Sequence, residues 1–156
     1  MTEGVTPEED RRVQSRKDLK ALVDSRAETL SILSELASKQ PFKPERATQA
    51  LLQSFCESLI DYTASAHFQL YRHFDEDRER RKPVMAIASE IYPSIVKSTQ
   101  AILAFNDRYD CEDHCKDFSE LAEDLSNLGE MLADRIELED RLIHVLTKPM
   151  PSGMAT

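Results

Sequence analysis

A chain of 156 residues with 20 Lys and Arg against 29 Asp and Glu carries a net charge of −9, which argues against the basic surface that a grip on phosphate backbones requires. The length suits one domain with one core, and 31% charged residues with only three Gly and no Trp point to helices rather than to β-architecture. The start is polar and acidic and no apolar run reaches membrane-spanning length, so a soluble cytoplasmic protein is expected, its three cysteines Cys56, Cys111 and Cys115 reduced.

In chain order, Thr6-Pro7-Glu8-Glu9 supplies an N-cap hydroxyl, a first-turn Pro and a capping-box acid, and a first helix is predicted to begin there. Leu19, Leu22, Val23, Leu30, Leu33 and Leu36 continue it until Gln40-Pro41-Phe42-Lys43-Pro44 stops it. A second helix is predicted from about Glu45 to about Asp77, fading in the solvated charges before Pro83. The third spans about Val84 to Asn106 and carries Pro93 inside, which predicts a kink or break near Tyr92. Asp110 or Asp113 is placed to cap a fourth helix that reaches about Thr147. Residues 1–5 and 149–156 are predicted to be disordered tails of one helical domain. Four long helices with short connections predict an all-α, up-down four-helix bundle.

The second helix has an unusual polar face. At about 100° per residue, Glu57, Asp61, Ala64, Ser65, Phe68 and Arg72 fall on one side, and Phe55, Leu59, Tyr62, Ala66 and Leu70 on the other. Phe68 thus points away from the apolar stripe. An aromatic among carboxylates and small residues has what a docking patch needs, apolar area for affinity and charge for orientation.

The seam of the fourth helix reads Phe118, Leu121, Leu125, Leu128, Leu132, Arg135, Glu139, Leu142, Leu146, so two charges interrupt a leucine row. Either the seam drifts and both charges reach water at the bundle edge, or Arg135 and Glu139, with Asp140 beside them, line a polar interior with His67 and Asp61. For His67 itself, beside the apolar arc, a hydrogen-bonded core histidine is the ordinary expectation.

Catalytic and metal chemistry find little support. Cys111-Glu112-Asp113-His114-Cys115 lacks a fourth zinc ligand at compatible spacing. No glutamate is followed by histidine three residues later, as a di-iron bundle requires. Gly4, Gly129 and Gly153 form no phosphate loop, and no nucleophile sits on a strained turn. No enzyme, cofactor, metal, nucleic-acid or membrane role is expected.

Phe55-Cys56 through Asp61-Tyr62, then Ser65-Ala66-His67-Phe68 and Tyr71, resembles the signature of the Rsd/AlgQ family of regulators. Ile91-Tyr92-Pro93 and Phe105 to Asp110 are similar to the third-helix region of its AlgQ-like branch, and Leu125 to Glu130 with Arg135 to Ile143 to its last helix. The resemblance implies a bacterial anti-sigma factor that binds the C-terminal promoter-recognition domain (region 4) of the primary sigma-70 class sigma factor, sequesters it from core RNA polymerase and so regulates transcription. It carries the family's signature aspartate onto Asp61 and its serine, histidine and phenylalanine onto Ser65, His67 and Phe68. Phe68 and Tyr71 are expected to supply apolar contact, the polar helix face adds Glu57 and Arg72 to the patch, and Arg135, Glu139 and Asp140 are expected to shape a polar interior or orient the interface. The first helix departs from the family pattern: Leu19 to Arg26 lacks the usual Trp. The alternative is a ligand-sensing or metal-binding bundle without sigma binding, built on His67, Asp61, Arg135 and Glu139.

Overall fold

The computed structural model describes residues 7–71, 81–110 and 117–147, with the side chains of 7–15 left aside. Helix α1 spans Pro7–Ala37 and α2 spans Arg46–Ala66, running into a π-turn at His67–Tyr71; α3 spans Lys82–Tyr109 and α4 Leu121–Thr147. The described residues are otherwise connections, so the described part of the protein is all-helical, and no helix among them is long and apolar enough to cross a membrane.

Periodicity explains which faces turn inward. The buried positions of α3 are Val84, Ala88, Ile91, Ile95, Ser98, Ile102, Phe105 and Tyr109, and those of α4 are Leu121, Leu125, Leu128, Leu132, Arg135, Glu139 and Leu142. In both helices the steps alternate between four and three residues, the seam of two helices packed side by side. Helix α1 buries Leu22, Thr29 and Leu36, each two turns from the next. Packing is most extensive between α1 and α2 and between α3 and α4, while α2 also meets α3 and α1 also meets α4. Each fully buried leucine contributes about 1.5–3 kcal/mol relative to exposure, and the buried residues form one cluster shared by all four helices.

Two polar or aromatic contacts lock neighbouring pairs. Thr29, 1% exposed, donates from Oγ1 to the Ser58 carbonyl at 3.1 Å and lies 2.8 Å from Ser58 Oγ, joining α1 to α2. Phe55 meets Phe105 edge-on at 5.8 Å between ring centroids, joining α2 to α3.

The helix boundaries depart from the sequence expectation at two points. Of the kink or break expected near Tyr92, the break is absent: helix α3 continues through Pro93. Both Pro93 and Ser89, whose carbonyl loses its usual amide partner, are exposed, so water meets the freed group. Helix α4 starts at Leu121 rather than after Asp110 or Asp113. Asp110 ends α3, its amide bonded to the Asn106 carbonyl at 2.7 Å, and Asp117 turns the chain by accepting from the Ser119 amide at 3.0 Å. Asp113, the Cys111–Cys115 segment, Arg72 to Arg80 and both expected tails lie outside the described residues.

Candidate interaction site

Arg135 and Glu139 are both inside the bundle, 2% and 0% exposed. The drift that would have carried them to water does not occur, because the four-three alternation of α4 holds across the whole helix. Charges so placed are tolerable only when paired and hydrogen-bonded, and every helix contributes to that. Glu139 accepts from Tyr62 Oη (α2) at 2.9 Å to each carboxylate oxygen, from Tyr71 Oη (π-turn) at 2.9 Å, and from Arg26 Nη1 (α1) at 3.2 Å. Arg135 donates from Nε to Tyr62 Oη at 3.1 Å and from Nη1 to Ser98 Oγ at 2.9 Å, Thr99 Oγ1 at 2.8 Å and the Ile95 carbonyl at 3.4 Å, all on α3. Its guanidinium carbon also lies 5.5 Å and 5.7 Å from the ring centroids of Tyr62 and Tyr71, within cation–π range.

The electrostatics follow from this packing. Burial, then the Glu139 charge, pushes the phenols of Tyr62 and Tyr71 well above the usual tyrosine value, so both remain protonated donors. For Arg26, burial disfavours the charge but is outweighed by hydrogen bonds and attraction from Asp140 and Glu139, and its pKa is raised. Such a centre holds helices together; it offers no activated nucleophile.

Outside the centre, α2 presents its polar face. Asp61 and Glu57 are exposed, Ser65 is half-buried, and Phe68 is 55% exposed. Glu57 accepts from Gln53 Nε2 at 3.2 Å. Beside this face runs an apolar groove of about 430 Å³ between α2 and α3, lined among others by Ile60, Ala64, Phe68, Val96 and Leu103, with Arg135 also in its lining.

Three placements correct the sequence expectations. His67 is exposed and belongs neither to the polar interior nor to the core. It follows buried Ala66 by one residue, about 100° around the helix, and stands at the groove with its ring edge-on to Phe68, centroids 5.4 Å apart. Tyr71 is buried, 4% exposed, with its hydroxyl on Glu139. In the wider π-turn Leu70 and Tyr71, four and five residues past buried Ala66, are both buried. Asp140 is a surface residue, its side chain 55% exposed, that pairs with Arg26 Nη2 at 2.8 Å. Asp61 and His67 therefore do not join Arg135 and Glu139 in one buried cluster, and Arg72 lies outside the described residues.

Sequence reasoning missed Arg26, Tyr62, Ser98 and Thr99 as members of the centre. Ser98 gave a usable signal, a small polar residue inside the apolar register of α3. Tyr62 lay on the apolar stripe and gave none for its hydroxyl.

The described residues thus form an all-helical bundle with a buried polar centre and an exposed acidic and aromatic helix face. A family model described as Regulator of RNA polymerase sigma(70) subunit, Rsd/AlgQ, matches residues 1–147, and the chain belongs to that family. A protein named Regulator of sigma D from Yersinia enterocolitica serotype O:8 is 39% identical over 97 residues, covering 59% of this chain and 56% of that protein. One of the same name from Yersinia pseudotuberculosis serotype O:1b gives the same figures, and another from Enterobacter sp. strain 638 is 34% identical over 99 residues, 63% of this chain and 59% of that protein. The chain spans little more than half the length of these curated relatives. No solved structure matches.

Proposed function

We propose that this protein is an anti-sigma factor that binds the C-terminal domain, region 4, of the primary sigma-70 class sigma factor and withholds it from core RNA polymerase. The observation that carries this proposal is the exposed face of α2, where Phe68 offers apolar area and Asp61 and Glu57 offer negative charge. A promoter-reading domain has a basic helix-turn-helix that ordinarily faces phosphate. A partner of net charge −9 competes for that surface through long-range attraction and then through local contact. The names of the family and of its relatives support the same partner. Within this proposal the protein acts in the cytoplasm, and its helices run alternately up and down, as short connections between packed neighbours favour.

Titration of the purified protein with the isolated sigma C-terminal domain tests it. Saturable binding at micromolar concentrations is expected, and Asp61→Ala weakens the complex while leaving thermal unfolding unchanged. Absence of saturable binding removes the proposal, and undiminished affinity in Asp61→Ala removes this face from it.

A further inference from the structure

The groove between α2 and α3 has the size of a small-molecule site: about 430 Å³, against roughly 300–1,000 Å³ for such pockets in general. Its outer part is apolar. Phe68, Val96 and Leu103, which line it, are 55%, 38% and 47% exposed and are three of the five most exposed large apolar side chains among the described residues. Its lining also includes Thr99 and Arg135.

Arg135 is the informative residue there. It is 98% buried by complement of its 2% exposure, its Nε and Nη1 are fully engaged, and its Nη2 has no hydrogen-bond partner among the described residues. Nη2 is not among the solvent-sealed polar atoms that lack a partner, so it opens to the groove that Arg135 lines, where an incoming acceptor can meet it. Charge points the same way. In the centre two guanidiniums, Arg26 and Arg135, face one fully buried carboxylate, Glu139, while the second acid, Asp140, is 55% exposed and reaches only Arg26. Arg26 is met by Asp140 at 2.8 Å as well as by Glu139 at 3.2 Å, and it is Arg135, 3.8 Å from Glu139, that brings a guanidinium to the groove lining.

We propose that this groove is a binding site for a small anionic amphiphile, a carboxylate whose head accepts a hydrogen bond from Arg135 and whose hydrocarbon chain lies along Phe68, Val96 and Leu103. His67 and Gln100, also in the lining, add polar groups near the head without closing the apolar path. The site does not depend on the sigma partner, although Phe68 belongs to both surfaces.

The test uses sodium octanoate, 1-octanol and octylammonium chloride as probes in an NMR titration of the whole chain, without any sigma domain present. Octanoate is expected to saturate at one per chain, to shift the methyl signals of Ile60, Val96 and Leu103, and to bind at least about tenfold more tightly than octanol, as a charge-assisted hydrogen bond provides. Octylammonium is expected not to bind. Leu103→Asp, an exposed position, weakens octanoate by about tenfold or more, and Arg135→Lys, where it folds, reduces the preference for octanoate over octanol. Equal affinity for octanoate and octanol, uptake without saturation, methyl shifts elsewhere, or unchanged binding in Leu103→Asp overturns the proposal.

Discussion

Tyr62 Oη stands between Arg135 and Glu139: it accepts from Arg135 Nε at 3.1 Å and donates to the Glu139 carboxylate at 2.9 Å, while Nε and Oε2 of the ion pair are 3.8 Å apart. The two charges, one helical turn apart on α4, are joined through a phenol of α2 more closely than to each other. A salt bridge confined to one helix would do nothing for tertiary structure; bridged this way, it fastens α4 to α2.

Removal of that hydroxyl in Tyr62→Phe is expected to lower stability by about 1–3 kcal/mol, the cost of leaving buried groups unsatisfied. Glu139→Leu costs more, roughly 3–5 kcal/mol, because Arg135 loses its compensating charge, whereas the double variant Arg135→Leu/Glu139→Leu recovers much of the loss. Urea unfolding with an unchanged slope reads all three. A double variant less stable than Glu139→Leu contradicts this account.

Alkali should destabilise the fold in two stages. Burial, helped by Asp110 and Glu57, raises the Cys56 thiol from 9.0 to about 12, and burial with the Glu139 charge raises Tyr62 and Tyr71 from 10.0. The native state thus keeps protons that the unfolded chain releases, so the contribution is complete below pH 9 and is lost as pH rises, first through the thiol and above pH 10 through the phenols as well. The slope is at most about 1.4 kcal/mol per pH unit for each group. Melting temperatures between pH 8 and 11 show the decline; Cys56→Ala flattens its first part and Tyr71→Phe its second.

The proposed partner face and the folding core separate experimentally at Phe68. Its ring is 55% exposed, so Phe68→Ala is expected to change stability by no more than about 0.5 kcal/mol. The same change is expected to weaken sigma-domain binding by about 2 kcal/mol or more, as a buried aromatic anchor does. Calorimetric titration beside a thermal melt checks both, and a large stability loss with intact binding reverses the assignment.

Gly129 offers a stabilising change. A Cβ built there meets Leu33 Cδ2 at 4.0 Å, ordinary van der Waals contact, in the middle of α4. Gly129→Ala should raise stability by about 0.5–1 kcal/mol through helix propensity and a less flexible unfolded chain, seen as a higher urea midpoint.

Much of the architecture was legible because apolar spacing reports which face is buried: Val84 to Phe105 and Leu121 to Leu142 announce α3 and α4 directly. The charges Arg135 and Glu139 were visible as interruptions of that pattern, but their partners were not. Arg26, Tyr62 and Tyr71 are separated from Glu139 by 113, 77 and 68 residues, and no local rule relates them. The exposed state of Asp61 and Phe68 followed from helical projection, as that of His67, one step of about 100° past Ala66, also would have, whereas the burial of Tyr71 belongs to the π-turn, which periodicity does not encode. The start of α4 was misjudged because both aspartates near Cys111 have the chemistry of a cap, and the turn is made by Asp117 instead.

The π-turn gives the bundle a mechanical joint. Within five residues it carries Phe68, open to any partner, and Tyr71, bonded to the carboxylate that also holds Arg26. The surface ring and the buried hydroxyl share one backbone turn, and the hydroxyl shares Glu139 with the first helix. If the proposed partner seats on Phe68, amide exchange around Arg26 is expected to change with it.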